Sequence, residues 1–350
     1  EMPSSYKSRD FYTSLGFDLS EDSQIEFSYL RLDQTDVEFP GQAFDLDFLV
    51  TDGFDAKWLV TDQTAFDRLE VDAWYNQTRF AGNAQRPGKR RQFPFFNQIS
   101  FAGLTDVDSL STGTSAAVTW GDESSQQLTV GTDFRFVRQQ LDETVRFINF
   151  PQIVIGARSP LPDSFSADTG LFAELKSPIE EPVRLTAGVR TDIVATDVLE
   201  DRSRLNPVGS RFVPLENLLG SDEFDQTFGV WSAHLTAEAD LDDDWTLIAS
   251  AGHGQRPPSL TELYVAESFL FLLQNGVNTA TGDPRLSPEK STQLDLALTY
   301  ETDRVRGSIR GFHSWVQDYI TFELLSSFAR EQYNLKYVNT SLATLAGFDG

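Results

Sequence analysis

The stretch TQLDLALTYE, Thr292 to Glu301, decides the fold. Leu294, Leu296, Leu298 and Tyr300 fall on one face of an extended chain, while Gln293, Asp295, Ala297, Thr299 and Glu301 fall on the other. A period of two marks a strand with one apolar and one polar face. The pattern recurs in VRLTAGVRTDI, where Val183, Leu185, Ala187, Val189 and Ile193 oppose Arg184, Thr186, Arg190 and Asp192. In FYTSLGFDL, Phe11, Leu15, Phe17 and Leu19 oppose Tyr12, Ser14 and Asp18. LEVDAWY from Leu69, LTVGTDFRF from Leu128 and ADTGLFAEL from Ala167 alternate in the same way. No helical period competes with it. The sequence predicts an all-β chain.

Three features select among β architectures. Several strands read as ten to fourteen residues long, against a usual ~5–6 in soluble sheets. Short charged turns at SEDS (Ser20), TDQT (Thr61), GDESSQ (Gly121), SPIEEP (Ser177), DLDDDW (Asp240) and ETDR (Glu301) alternate with long segments around 34–52, 81–110, 141–165, 196–225, 256–290 and 320–335. Aromatic residues gather near strand ends: Tyr29, Trp74, Tyr75, Trp120, Phe134, Phe136, Trp231, Trp245, Tyr300, Trp315 and Tyr319. Short turns on one rim, long loops on the other and aromatic girdles describe an antiparallel transmembrane β-barrel with periplasmic turns and extracellular loops. About thirteen strands are expected, an incomplete set for a closed barrel. The polar face carries Asp72, Asp133, Arg135, Glu174, Arg184, Arg190, Asp295, Arg306 and Arg310. A narrow, dry interior would bury these charges at heavy cost, so the lumen is expected to be wide and to hold water or a polar plug.

Composition excludes several alternatives. With 350 residues, 40% hydrophobic and a mean hydropathy of -0.31, the chain has the composition of a soluble protein. Its longest apolar run, Phe269 to Leu273, is far short of the ~20 residues of a membrane helix. A net charge of -25 argues against a nucleic-acid partner. Without cysteine there are no disulfides and no thiolate metal sites. The sequence opens in mid-pattern on Glu1, and both ends are expected to have been cut from something longer.

Motif look-alikes reduce to ordinary structure. Asp240, Asp242 and Asp244 copy three positions of a calcium loop, but Trp245 stands where glycine is needed and Ala251 where glutamate is needed. This reads as a hairpin tip. GNAQRPGKR places five residues rather than four between Gly82 and Gly88, lacks the Ser or Thr after Lys89, and reads as a loop with no helix following. His234, His253 and His313 lie far apart and read as strand-surface residues. The hairpin LDQTDVEFPGQAFDLDF crowds Asp33, Asp36, Glu38, Asp45 and Asp47. Its plain reading is a solvated loop; its sharper reading is an extracellular cation site suited to calcium.

GHGQRPPSLTELYV (252–265) meets two prolines, which stop a strand ladder near Arg256. It is followed by GDPRLSPEKSTQLDLALTYE, RVRGSIRGFHSWVQDYI and YVNTSLATLAGFDG. This series resembles the barrel of the TonB-dependent outer-membrane receptors. In that family an Arg-(Ala/Pro)-Pro-(Ser/Thr) strand end, then Glu and Tyr, precede Asn-Pro-x-Leu-x-Pro-Glu-x-Ser. The matching residues are Arg256, Pro258, Ser259, Glu262 and Tyr264, then Pro284, Leu286, Pro288, Glu289 and Ser291. Asp283 stands where the family has asparagine and can keep its turn-capping role. Asn339, Ala346 and Gly347 fit a later strand signature. These residues read as architectural.

The resemblance implies that residues 1–350 are part of one barrel domain, without the plug, the TonB-engaging segment or the closing strands. An internal fragment of this kind is expected to leave unpaired strand edges. It further implies an outer-membrane active transporter in contact with outer-membrane lipid. Such a protein takes up a metal chelate, an iron–siderophore, cobalamin or similar compound, with energy from the TonB complex through the plug and no catalysis. Substrate contacts are expected from loops in 34–52, 81–110, 141–165 and 256–290. A passive porin-like or adhesive barrel needs only the polar lumen. A soluble carbohydrate-active enzyme needs propeller-like repeats of 40–50 residues, and none is visible.

Overall fold

The computed structural model describes residues 4–39, 44–83, 85–92, 101–122, 124–147, 154–178, 182–199, 204–206, 211–266, 279–329 and 332–350. In chain order the elements are β1 (Lys7–Ser20), β2 (Ser23–Val37), β3 (Asp45–Gln63), β4 (Phe66–Asn83), α1 (Pro87–Gln92), β5 (Phe101–Trp120), β6 (Gln127–Phe147), β7 (Val154–Lys176) and β8 (Val183–Val198). There follow β9 (Arg204–Asn206), β10 (Arg211–Val213), α2 (Leu215–Leu219), β11 (Gln226–Asp240), β12 (Trp245–Arg256), α3 (Leu260–Tyr264), β13 (Thr279–Thr281), β14 (Glu289–Glu301), β15 (Arg306–Ala329) and β16 (Gln332–Asp349). Among the described residues thirteen strands are twelve or more residues long, in agreement with the count expected from the sequence. They form one antiparallel meander in the order β1 to β8, β11, β12, β14, β15, β16. Short β13 joins β16 in parallel, and β9 pairs with both β10 and β7.

Strict up-and-down order sends every short turn to one rim and every long connection to the other. At the short-turn rim the tips are closed by local chemistry. Gly121 has φ 82, and a Cβ there would collide with the Gln126 carbonyl. Asp242 Oδ1 accepts from the backbone N–H of Asp244 and Trp245, both at 2.9 Å, so the calcium-loop look-alike is a turn cap. Strands β3 to β7 and β15 run 18–24 residues, well beyond the expected ten to fourteen. Much of what reads as loop in 34–52, 141–165 and 320–335 is therefore paired ladder standing above the membrane. The run around Gly88 also carries a helix, α1, against the expectation of none. It begins at Pro87, where proline's fixed φ suits a first turn.

Register sorts the two faces. On one side of β14 lie Leu294 and Leu296, each at least half exposed, alongside Ile309 of β15 and Leu235 of β11. Exposed apolar side chains aligned on one face of thirteen strands form the surface that meets lipid. The opposite face carries Asp72, Asp133, Arg135, Glu174, Arg184, Arg190, Asp295, Arg306 and Arg310, as the alternation requires. Among the girdle aromatics Trp74 is the exception. Its neighbour Tyr75 faces outward beside Phe54, whereas Trp74 lies on the polar face over Gly113, in space that a Cβ there would occupy.

The packed core sits at the long-loop rim. Leu215 and Leu219 of α2 and Leu260, Leu263 and Tyr264 of α3 pack with Val194, Phe228, Val230, Leu286, Ile320 and Tyr337. Two short helices thus fold down against the inner ends of the strands. Burying each large side chain contributes about 1.5–3 kcal/mol.

Candidate functional site

The residues picked out at the end of β12 converge. Arg256 ends the strand directly opposite Glu289, the first residue of β14. Its Nε donates to Glu289 Oε2 at 2.7 Å, while Nη1 and Nη2 donate to the two Glu262 oxygens at 2.8 and 3.0 Å. Pro257 and Pro258 terminate the ladder, and Ser259 then caps α3. Ser259 Oγ accepts from the Glu262 N–H, and Glu262 Oε2 accepts from the Ser259 N–H at 2.7 Å. This reciprocal box is readable as Ser-x-x-Glu. Glu262 therefore serves the cap and the guanidinium together. Burial alone would raise its carboxyl pKa, but the hydrogen bonds from Arg256 and Ser259 outweigh that and hold it below the ordinary range.

Glu289 uses its other oxygen to accept from the Ile320 N–H at 2.7 Å, linking β14 to β15. Asn339 of β16 accepts from the Ser287 N–H at 2.9 Å and donates to the Ser287 and Asp318 carbonyls. Asp318 has φ 54, between the Gln317↔Leu342 and Tyr319↔Thr340 pairs of the β15–β16 ladder, and its carboxylate receives Lys290 at 2.8 Å. Tyr264 is fully buried, shares a hydrogen bond with Thr196 at 2.8 Å and donates to the Phe224 carbonyl. Burial pushes its hydroxyl pKa well above the usual tyrosine value. Pro258, Pro284 and Leu286 are buried, and Ser291 bonds Ser314 across the strands at 3.1 Å. Gly347 leaves room for the Phe312 ring, which a Cβ would approach to 2.7 Å.

Asp283 keeps the turn-capping role: Oδ1 accepts from the Arg285 N–H at 3.0 Å. It adds what asparagine has no charge to do. Lys336 reaches it at 2.8 Å, with both groups largely buried. Burial opposes ionisation, but hydrogen bonds from Arg285 and Lys336 hold the carboxyl at about 2.

The five hairpin acids are separated by their partners. Asp36 pairs with Lys7 at 2.7 Å and with Arg86 at 3.1 Å, and Asp47 bonds Asn83 and Arg86. Glu38 accepts from Ser5, Asp45 from the Phe39 N–H, and Asp33 lies 4.0 Å from Arg31. Among the described residues no group of three or more acids or histidines converges to hold a metal. His234, His253 and His313 all sit on strands. Of the segments expected to touch substrate, 40–43, 84, 93–100, 148–153 and 267–278 lie outside the described residues.

On the lumenal face a charge network crosses three strands. Arg190 of β8 reaches over Gly170 of β7 to Asp133 of β6, at 2.6 and 2.9 Å, and also bonds Asp192. A Cβ at Gly170 would meet Asp192 Oδ1 at 2.5 Å. One guanidinium thus neutralises two wall carboxylates within the sheet.

The sequence profile of the TonB-dependent receptor-like β-barrel matches residues 3–350. The chain belongs to that family. It is accordingly part of an outer-membrane β-barrel. TonB-dependent receptors are also among its solved neighbours. The copper transporter OprC superposes with a TM-score of 0.78 at 19% identity, covering 98% of this chain and 49% of that one. The Serratia marcescens hemophore receptor HasR, solved with its hemophore HasA and heme, gives 0.68 at 14%, covering 98% and 51%. The siderophore receptor PirA from Pseudomonas aeruginosa gives 0.61 at 14%, covering 98% and 52%. The chain thus spans about half the length of the receptors it matches. No curated protein sequence matches it.

Proposed function

We propose that the protein carrying this TonB-dependent receptor barrel is an outer-membrane active transporter for a scarce nutrient held as a chelate. The observation that carries the reading is the clamp of Arg256, Glu262, Glu289 and Asn339. It ties a large loop to the rim of a barrel whose lumen is lined by paired charges. Binding then falls to the loops and the lumen, and no bond in the cargo need break. The solved neighbours carry copper, heme with its hemophore, or siderophores by their names. An iron–siderophore, cobalamin or another metal chelate is the matching cargo class here, with energy arriving from TonB.

The test uses the full-length protein in cells and after purification from outer membranes. The expected result is a metal chelate retained in mass spectra, together with cellular uptake that stops when TonB is removed. Uptake that persists unchanged without TonB and follows the external concentration would favour a passive porin instead.

A further inference from the structure

The lumenal face of β2 to β6 changes character at one height. Toward the short-turn rim it is charged. Register sets Glu26, Lys57, Asp72 and Asp133 in one row, and the next row up holds Asp55, Trp74 and Arg135. The three rows above carry no charge. Leu30, Gly53, Asn76, Ser111 and Val137 form the first. Leu32, Thr51, Thr78, Ser109 and Gln139 form the second, and Gln34, Leu49, Phe80, Val107 and Leu141 the third. The chain is 23% charged, yet its ionic residues at this height stand on the outward face. Arg31, Asp52 and Arg138 lie in one outward row there, and Asp33, Arg79 and Asp108 in the next. The two faces have exchanged polarity.

The inner surface is apolar with neutral hydrogen-bonding groups set into it. Thr51 and Thr78 share a hydrogen bond at 2.9 Å, and a Cβ at Gly53 would meet Asn76 Oδ1 at 2.6 Å and Leu30 Cβ at 3.7 Å. Higher still, the Phe44 ring lies over Gly82, 6.1 Å from that of Phe39. Val107 and Val137 pack against the core that α2 and α3 build on the other side of the lumen. Leu30, Leu32, Leu49 and Phe80 stay outside that core and are only partly buried. An ion seated on them would lose water and meet no counter-charge. A neutral body would keep its hydrogen bonds to the hydroxyls and amides while burying apolar surface against leucine and phenylalanine.

We propose that this wall seats the transported cargo and selects an electrically neutral chelate with an apolar surface over an anionic one. The selection rests on the transporter reading above and adds to it the charge class of the cargo.

The test takes the full-length receptor, purified from outer membranes and offered four chelates in equal amounts. Ferrichrome and cyanocobalamin are the neutral probes, and ferric citrate and ferric enterobactin the anionic ones; retention is read by native mass spectrometry. The expected result is retention of a neutral chelate over both anionic ones. Leu49→Asp should weaken that retention about tenfold, because it sets an unpaired carboxylate on the wall. Val50→Asp, on the outward face of the same strand, should leave it unchanged. Both variants should keep heat-modifiable migration. Retention of an anionic chelate, with uptake that needs TonB, would overturn the proposal and leave the transporter reading standing. Retention of none, with uptake that ignores TonB, would remove both. A folded Leu49→Asp receptor that holds the neutral chelate as well as the parent would also overturn the proposal.

Discussion

Two charge-rich stretches stand at the loop-side rim, and they behave differently. The hairpin of β2 and β3 holds Asp33, Asp36, Glu38, Asp45 and Asp47, and its pair between Lys7 and Asp36 leaves those side chains 72% and 48% exposed. The clamp after β12 has fewer charges, but Glu262 and Glu289 are only 15% and 13% exposed and share one guanidinium. Exposed pairs contribute little because water and salt already satisfy them, whereas breaking a desolvated pair strands a charge. Density of charge in sequence therefore says less than the number of partners that register delivers to each group.

The comparison can be pressed experimentally in the full-length receptor. Glu262→Ala should have the largest effect. It removes two bonds to Arg256 and one leg of the α3 cap, and a loss of about 3 kcal/mol is expected. Hydrogen exchange should show this as opening of residues 257–266 while the short-turn rim stays protected. Acid comes next. The Asp283 carboxyl is held at about 2 in the fold, against about 3.9 in an unfolded chain. A depressed carboxyl stabilises above the unfolded value and loses that contribution as pH falls through the folded one. Roughly 2 kcal/mol of loop stability should disappear between pH 4 and 2, read as increased exchange at residues 279–288. Lys336→Met should make the loss begin at higher pH.

Asn339→Ala removes three bonds to the backbone of Ser287 and Asp318. A loss of about 1–2 kcal/mol is expected, visible as faster proteolytic cleavage near Ser287 with β14 to β16 still paired. Lys7→Ala should be the smallest, with no measurable change in thermal unfolding. A large loss there would end the distinction between the two stretches.

The strands were legible wherever they cross lipid. In β14 and β8 one face must be apolar and the other polar, so the period of two is written into Leu294, Leu296 and Val189. Above the membrane that demand ends. Asp33 to Val37 and Asp45 to Asp52 still pair, but apolar and polar residues no longer alternate along them and their sequence looks like loop. Trp74 misled for a related reason: an aromatic near a strand end matches a girdle by composition, while its parity, opposite to Tyr75, puts it in the lumen. Within the clamp, the Ser259 and Glu262 box lies in four consecutive residues. Lys336, Thr196 and Asp318 were invisible because they arrive across register from strands that are distant in sequence.

Because the chain has no cysteine, single cysteines along β14 of the full-length receptor report directly on which face meets lipid. Fluorophores at Leu294, Leu296 and Leu298 should be quenched by a lipid-borne quencher and protected from iodide. Those at Gln293, Asp295 and Ala297 should show the reverse. Strict alternation is the result expected for a strand of an outer-membrane barrel with a polar lumen. Equal iodide quenching at all six positions would show that β14 faces water on both sides, and the barrel reading would fall with it.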